Sequence, residues 1–307
     1  MTCNIKNLRP PNVVRGFLNS VLHVTNTNTN KKIKTSFLYY VKVKMIPRII
    51  HFIWIYAGQH PTEDHLFAIK TAVLNTTCKI VLHTDDKTIK PIPGVEIRHR
   101  TFDKDIKGIP FDANEKIEYK GEAKRVAHIS DIVRCEILYE EGGIYSDMDV
   151  FWLRNPIEFW DKKVVIGFTN QGYKILANSV IMSEPKNKAM KVYRDWLIDI
   201  YPAKKYWIPA NPYKIWKDDP DVTMVQKHYW FPVGWDKIKG LKMNDVEKSI
   251  AIHVFSSMKG DVKGELYDSL KHDMERYLPC VPCVPRVPRV SSVSRVRINK
   301  THKKRKN

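Results

Sequence analysis

Short apolar runs alternate with longer amphipathic stretches along the central part of the chain. The β-branched run Ile49–Ile55 predicts a buried strand, and Glu122–Glu141 predicts a helix that ends at Gly142-Gly143, where glycine commonly supplies a left-handed cap. The other predicted strands are Ile80–His83, Val95–His99, a strand into Ser146, Val164–Phe168, Val180–Ser183 and Ile250–Phe255. The other predicted helices are Glu63–Leu74, Lys186–Asp199 and Glu265–Tyr277. This alternation predicts an α/β fold with a mostly parallel sheet flanked by helices, and ligands at the carboxyl ends of the strands.

Charge divides the chain into three segments. The net charge is +19 over 307 residues, yet residues 1–44 hold 8 Lys and Arg, residues 279–307 hold 9, and neither segment has an acidic residue. Residues 45–278 are nearly neutral, with 35 basic and 33 acidic side chains. We therefore predict one folded domain at 45–278, a basic low-complexity leader at 1–44 that is disordered or not native, and a Val-Pro repeat with a basic tail at 279–307.

Several features favour a soluble protein of the cytoplasm, with the Golgi lumen as the alternative. The longest apolar run, Ile49–Tyr56, is interrupted by His51 and is far shorter than the ~20 residues of a membrane-spanning helix. The first residues lack the continuous apolar stretch of a signal peptide. The five cysteines are an odd number in a long chain, which favours a reducing compartment.

The most informative stretch is HISDIVRCEILYEEGGIYSDMDVFW, residues 128–152. Asp131 and Arg134 lie three residues apart and share one face of the predicted helix, where an ordinary intrahelical ion pair is the structural alternative. Asp147 and Asp149 alternate on a predicted extended strand, so their carboxylates point the same way. Like charges repel unless a cation lies between them, and oxygen ligands suit Mg²⁺ or Mn²⁺ together with substrate phosphates.

Three blocks of the chain resemble the DXD-motif glycosyltransferases, the family of the initiating α-mannosyltransferase of yeast and of the glucosylating domains of large clostridial toxins. The blocks are IPRIIHFIW at 46–54, SDIVRCEILYEEGGIYSDMDV at 130–150, and a weaker one from NSVIMSEPKN at 178–187 to AIHVF at 251–255. The resemblance implies a GT-A-like, Rossmann-type fold in a single catalytic domain. It also implies metal-dependent transfer of a hexose from a nucleoside-diphosphate sugar to a glycan, glycoprotein or other hydroxyl acceptor, with retention of configuration.

The resemblance further implies which residues bind the donor. Trp54 would stack on the base, Asp131 would hold hydroxyls of the donor sugar, and Arg134 would contact the sugar or the diphosphate. Asp147 would reach the ribose and the sugar, and Asn178 would line the pocket where donor and acceptor meet. Taken one at a time, Trp54 is more typical of a core residue than of a base platform, and Asn178 is also typical of a turn or helix cap.

The metal site and the leaving group involve residues farther along the chain. The resemblance implies that Asp149, with Asp147 as a further ligand, binds Mn²⁺ or Mg²⁺, and that His253 completes the metal or diphosphate site, although a strand histidine is commonly structural. The family often has a Ser-Trp pair after this histidine, and the present sequence, HVFSSMKGDVKG, has none. Lys259 instead follows His253 at the H-x₅-K spacing of another retaining family, which makes it a candidate for stabilising the leaving diphosphate.

Two other classes of protein remain as alternatives. A phosphatase of the haloacid dehalogenase type also has a buried strand ending in DxD, with Asp147 as nucleophile, Asp149 as general acid and Mg²⁺ as cofactor. That motif normally opens its fold, whereas about 100 residues of the predicted domain precede it here, and Asp131 and Arg134 would have no role. The second alternative is a nucleic-acid-binding protein acting through its basic ends, but the neutral central segment makes nucleic acid an unlikely partner for the folded domain.

Overall fold

The computed structural model describes most of the central segment of the chain. The described residues are 45–56, 58–102, 116–117, 123–170, 172, 174–200, 211–255 and 264–277. The predicted leader at 1–44, the tail at 279–307 and Lys259 lie outside the described residues, and so does Glu122. The predicted start of the helix Glu122–Glu141 is wrong, because Ala123 and Lys124 form a short strand and the helix begins at Arg125.

Within these ranges the chain forms strands, α-helices and short 3₁₀ turns in alternation. The strands are β1 Ile49–Trp54, β2 Lys79–Thr84, β3 Val95–His99, β4 Lys116–Ile117, β5 Ala123–Lys124, β6 Gly143–Ser146, β7 Val150–Trp152, β8 Val164–Asn170, β9 Ile175–Ser183, β10 Val222–Val225 and β11 Ala251–His253. The α-helices are α1 Glu63–Asn75, α2 Arg125–Glu141, α3 Lys188–Ile200, α4 Tyr213–Trp216 and α5 Glu265–Tyr277. The 3₁₀ turns are Ile157–Phe159, Lys227–Tyr229, Trp235–Gly240 and Met243–Val246.

The main sheet has seven strands in the order β10-β8-β9-β6-β1-β2-β3. Neighbouring strands are parallel except at β9, which runs antiparallel to both β6 and β8. The predicted α/β fold with a mostly parallel sheet flanked by helices is therefore confirmed. None of the helices in the described residues is long and apolar enough to cross a bilayer.

Some strands were not predicted, or have bounds other than those predicted. The strands β7 and β10 have three and four residues, and the antiparallel pair β4 and β5 has two residues in each strand. Strands this short do not give a periodic pattern in the sequence. The predicted strand Ile250–Phe255 is shortened to β11, which pairs with β7 in a separate two-stranded sheet. The predicted strand Val180–Ser183 is the end of the longer β9.

The hydrophobic core lies on both faces of the main sheet. Along β1 the side chains alternate, so that Ile50 and Phe52 pack on the face covered by α1. Ile53 packs on the opposite face, against residues of α2 and α3. Because both faces of the sheet are covered, its carboxyl edge is where polar side chains can meet a ligand.

The Gly142-Gly143 pair ends α2 as predicted. Both glycines have positive φ values, +67° and +97°, and the amide of Gly142 donates to the carbonyl of Leu138. A Cβ atom on Gly143 would lie 2.8 Å from the carbonyl oxygen of Ile49, because β6 begins in direct contact with β1. Glycine is therefore required both for the turn and for the close approach of two central strands.

Replacing Gly143 by alanine should destabilise the domain more than the same replacement at a glycine that has a positive φ but no close neighbour. We expect a loss of about 3 kcal/mol in the free energy of unfolding, since backbone strain of roughly 1–2 kcal/mol is joined by the clash with Ile49. The matched control is Gly58→Ala, because Gly58 has φ +78° but a Cβ atom added there would meet open space, with nothing within 4 Å. Equal losses in urea unfolding of the two variants would contradict the steric part of this argument.

Two buried histidines link β1, β2 and the end of α2. His51 Nε2 donates to the carbonyl of Gly142 at 3.0 Å, and His51 Nδ1 lies 3.0 Å from His83 Nε2. Since a carbonyl only accepts, His51 Nδ1 must accept from His83, and both rings are neutral. Burial lowers the pKa of His51 to about 4 and that of His83 to about 2.

This pair should make the domain sensitive to mild acid. Both folded-state pKa values lie below the unfolded value of 6.5, so the stabilisation is complete above pH 6.5 and is lost as the pH falls toward about 4. We expect the free energy of unfolding to be about 2–4 kcal/mol lower at pH 5 than at pH 7.5. Unfolding by urea across this range should become less pH-dependent in His83→Leu than in the control His272→Gln, which alters an exposed histidine. Identical slopes for both variants would refute the assignment.

Candidate active site

The two aspartates of the DxD lie in a turn between β6 and β7. The amide of Asp147 donates to the carbonyl of Ser179 at 2.8 Å, and the amide of Val150 turns back to the carbonyl of Asp147 at 3.3 Å. The prediction that Asp147 and Asp149 alternate on an extended strand is therefore wrong. Their carboxylates converge because the chain reverses direction between two buried strands, not because of strand pleating.

Asp147, Asp149 and His253 form a cluster at the carboxyl end of β6. One ligand atom from each lies within 4.8 Å of those of the other two. The Nε2 atom of His253 is 3.1 Å from Asp149 Oδ1 and 3.9 Å from Asp147 Oδ2. The histidine arrives from a distant part of the sequence because β11 pairs antiparallel with β7, which places His253 opposite Val150.

This cluster has the donor set of a divalent cation site. Two carboxylate oxygens suit Mn²⁺ or Mg²⁺, and an added imidazole nitrogen favours Mn²⁺ over Mg²⁺. Burial by itself lowers the pKa of His253, but the charges of Asp149 and Asp147 and a hydrogen bond to Asp149 raise it above the ordinary value. These charges favour the protonated form of His253, and a cation bound at Nε2 would displace that proton.

Arg134 is the centre of a second, more deeply buried cluster. Its guanidinium contacts Asp131 Oδ1 at 2.7 Å and Asp147 Oδ1 at 3.2 Å, and it donates to the carbonyl of Asn178 at 2.7 Å. It also lies 4.1 Å from the ring centre of Tyr145, whose hydroxyl donates to Asp147 Oδ1 at 2.6 Å. The helix α2 and the DxD turn are therefore connected through one cation.

The charge state of this cluster follows from its surroundings. Burial disfavours the charge of Arg134, but Tyr145, Asp131 and Asp147 together raise its pKa above the ordinary value, so it remains a cation. Burial raises the pKa of Tyr145 well above its ordinary value, so its hydroxyl stays a donor to Asp147. A fixed positive charge thus faces two carboxylates whose orientation it determines.

Asn178 reaches this cluster through an irregularity in β9. Ile166 of β8 pairs with Ile181, but the next residue, Gly167, pairs with Ala177, so three residues of β9 bulge out of the ladder. Asn178 is one of these three residues, and its side-chain amide donates to Asp131 Oδ1 at 2.8 Å. A bulge of this kind redirects side chains, and it turns Asn178 toward α2.

Trp54 lies at the carboxyl end of β1 and is partly buried. Its indole nitrogen donates to the carbonyl of Gln59 at 3.1 Å, and its ring packs 4.9 Å from the ring of His65 in the first turn of α1. Trp54 therefore shares the edge of the sheet with the DxD turn, but its hydrogen bond goes to Gln59 rather than to that turn. Lys259, the remaining predicted residue, lies outside the described part of the chain.

Sequence reasoning missed two residues of this region. Tyr145 precedes Asp147 by two positions, and the DxD motif itself gave no reason to include it. His65 occupies the third position after the helix cap Thr62, which is the position of the second residue of a capping box. The sequence could therefore indicate that His65 lies in the first turn of α1, but not that it packs against Trp54.

Residues 63–170 match the family model described as the glycosyltransferase sugar-binding region containing the DXD motif. This central segment is therefore similar to the sugar-binding region of DXD-motif glycosyltransferases. The matched segment contains Asp131, Arg134, Asp147 and Asp149, whereas Trp54, Asn178 and His253 lie outside it.

Several solved structures of glycosyltransferases are similar to this chain. The PaToxG glycosyltransferase is 17% identical, with 58% of this chain and 70% of that chain covered and a TM-score of 0.41. GlyE of Streptococcus pneumoniae TIGR4 is 14% identical, with 74% and 60% covered and a TM-score of 0.45, so the chain spans less than two thirds of GlyE. The galactosyltransferase LgtC, solved with donor and acceptor sugar analogues, is 12% identical, with 73% and 94% covered and a TM-score of 0.43. A comparison with curated protein sequences finds no match.

Proposed function

We propose that this protein is a glycosyltransferase that moves a hexose from a nucleoside-diphosphate sugar to a hydroxyl of a glycan or glycoprotein, with a divalent cation as cofactor. The observation that carries the proposal is the convergence of Asp147, Asp149 and His253 at the end of β6. Breaking a glycosyl–diphosphate bond places negative charge on the departing phosphates, and an acidic cluster can bind phosphates only through a cation. The sequence contains no Gly-rich phosphate-binding loop that could bind the diphosphate in place of a cation.

The three ligands have different tasks in this proposal. Asp149, His253 and Asp147 would hold the cation, which would neutralise the charge of the leaving diphosphate. The Oδ1 atom of Asp147 is held by Tyr145 and Arg134, which fixes the direction of the carboxylate toward ribose and sugar hydroxyls. Such fixed orientation stabilises a transition state without reorganisation during the reaction.

The buried cluster on α2 orients the sugar side of the site. Asp131 is directed by Arg134 and by the amide of Asn178, and a carboxylate near the reacting carbon stabilises its oxocarbenium-like charge. The contacts of Arg134 go to Asp131, Asp147 and a carbonyl, and its side chain is only 5% exposed. We therefore propose that Arg134 acts mainly as a positioning residue, and that direct contact with the donor comes from the carboxylates it holds.

The same contacts weigh against the phosphatase alternative. In that mechanism Asp147 would attack phosphorus as a free nucleophile. Its Oδ1 atom instead accepts a hydrogen bond from Tyr145 and faces Arg134, which lowers the nucleophilicity of the carboxylate. Retention of configuration is proposed on the basis of the resemblance to DXD glycosyltransferases.

A screen of nucleotide sugars tests this function. Purified protein would be incubated with UDP- and GDP-hexoses, with and without MnCl₂, while donor hydrolysis and thermal stabilisation are measured. We expect at least one nucleotide sugar to be hydrolysed and to stabilise the protein only when the cation is present. Turnover of an aryl phosphate without any nucleotide sugar would instead favour the phosphatase, and no response to any donor would contradict the proposal.

A further inference from the structure

His65 is held in one tautomer by the start of α1. The backbone amide of Thr62 donates to His65 Nδ1 at 3.1 Å, and the Thr62 hydroxyl lies 2.9 Å from the same atom. Because an amide only donates, Nδ1 must accept, and the neutral ring carries its proton on Nε2. Burial lowers the pKa of His65, although the charges of Asp149 and Asp64 oppose this, so the neutral form is favoured.

The packing of α1 against β7 directs the first turn of α1 toward the start of β7, and His65 is near enough to Asp149 for their charges to interact. Thr71 and Asn75 of α1 both hydrogen-bond to the backbone of Trp152, and Phe67 packs 4.9 Å from Phe151. Moving toward the start of α1 therefore corresponds to moving toward the start of β7. Beyond Phe67 and Phe151, α1 continues back to its first turn, which contains His65, and β7 continues back to the DxD turn.

The other side of His65 faces the candidate base platform. The ring centres of His65 and Trp54 are 4.9 Å apart, and the ring planes are inclined by 52°. Among the residues that the structure describes, no group accepts a hydrogen bond from His65 Nε2, and the side chain is only partly buried. His65 therefore offers a fixed N–H donor on a ring that packs against Trp54 and interacts with the charge of Asp149.

From this arrangement we infer that His65 binds the diphosphate of the donor through its Nε2–H group. The inference rests on the proposed function, in which the base stacks on Trp54 and Asp149 holds the cation. The diphosphate is the part of the donor that connects those two points, and an imidazole N–H is a suitable partner for a phosphate oxygen. His65 would then bind the donor's phosphates from the side of α1, and the cation would bind them from the side of β6.

Three variants separate this role from helix capping. Glutamate and glutamine are the usual residues at this position of a capping box, so both can keep the contact with Thr62, but only glutamine also offers an N–H donor. Thr62→Ala removes the capping hydroxyl and keeps the imidazole with its backbone partner. Calorimetric titrations with UDP, GDP and inorganic pyrophosphate, each with MnCl₂, would be compared with melting curves for wild type, His65→Glu, His65→Gln and Thr62→Ala.

We expect His65→Glu to bind both pyrophosphate and the preferred nucleoside diphosphate about tenfold to a hundredfold more weakly than wild type, as loss of a hydrogen bond to a charged group predicts. His65→Gln should retain most of the affinity, and Thr62→Ala should bind as wild type does. Unchanged affinity in His65→Glu, equal losses in all three variants, or a loss for the nucleotide but not for pyrophosphate would each overturn the inference. Failure of wild type to bind any nucleoside diphosphate with Mn²⁺ would instead contradict the proposed function itself.

Discussion

Asp149→Asn is expected to abolish cation-dependent donor binding and turnover together. The substitution removes the carboxylate that lies closest to His253 in the cluster, at 3.1 Å, and an amide oxygen is a much weaker cation ligand. The loss should be at least about 10²–10³ in turnover, equivalent to roughly 3–4 kcal/mol of transition-state stabilisation. Titration of a nucleotide sugar with and without MnCl₂, beside a turnover assay, measures both effects.

The fold should tolerate this change. In the metal-free protein Asp149→Asn loses the ion pair with His253 but also relieves repulsion from Asp147, and these effects oppose each other. The melting temperature should therefore stay close to that of wild type. Asp218→Asn is the matched control, since Asp218 is an exposed aspartate paired only with its neighbour Lys217 among the described residues. A folded Asp149→Asn protein with unchanged Mn²⁺-dependent binding and turnover would overturn the proposed metal site.

Arg134→Met should cause the largest loss of stability among the site variants. It removes the cation that neutralises Asp131 and Asp147, and the side chain of Asp131 is only 10% exposed. Removing one partner of a buried ion pair typically costs about 3–5 kcal/mol, because the remaining charge is left uncompensated. For a domain of this size such a loss lowers the melting temperature by roughly 10 °C.

Two further variants test the cause of that loss. Arg194→Met removes a more exposed arginine, which pairs with Glu136 of α2 and with Asp195, and it should cost only about 0–1 kcal/mol. Adding Asp131→Asn to Arg134→Met should restore part of the stability, since the buried carboxylate is then neutral. Urea unfolding of the single and double variants gives the coupling energy. Purely additive losses would mean that the charge of Asp131 is not what destabilises Arg134→Met.

The proposed roles also predict different kinetic defects in the two variants. Asp149→Asn should lose affinity for the nucleotide, because its carboxylate holds the cation. Any Arg134→Met protein that remains folded should bind the nucleotide and fail mainly in turnover, because Arg134 orients Asp131 and Asp147 without itself contacting the donor.

The sequence by itself determined the features that depend on neighbouring residues. The β-branched run at β1 and the apolar pattern of α2 predicted their secondary structure, because periodicity is a local property. The glycine pair after α2 was identified for a local reason as well, since few other residues adopt positive φ. The spacing of Asp131 and Arg134 likewise predicted their contact, which the helix geometry produces directly.

Tertiary structure alone decided how these pieces form one site. His253 reaches Asp149 because β11 pairs with β7, and a three-residue pairing between segments about 100 residues apart leaves no periodic signal in the sequence. Asn178 faces Asp131 because of a bulge in β9, which depends on the pairing with β8. The turn at the DxD and the contact of His65 with Trp54 arise in the same way, from packing against other elements. Contacts of this kind are set by burial and pairing across the whole sheet, so a single sequence gives the residue types and the fold gives their arrangement.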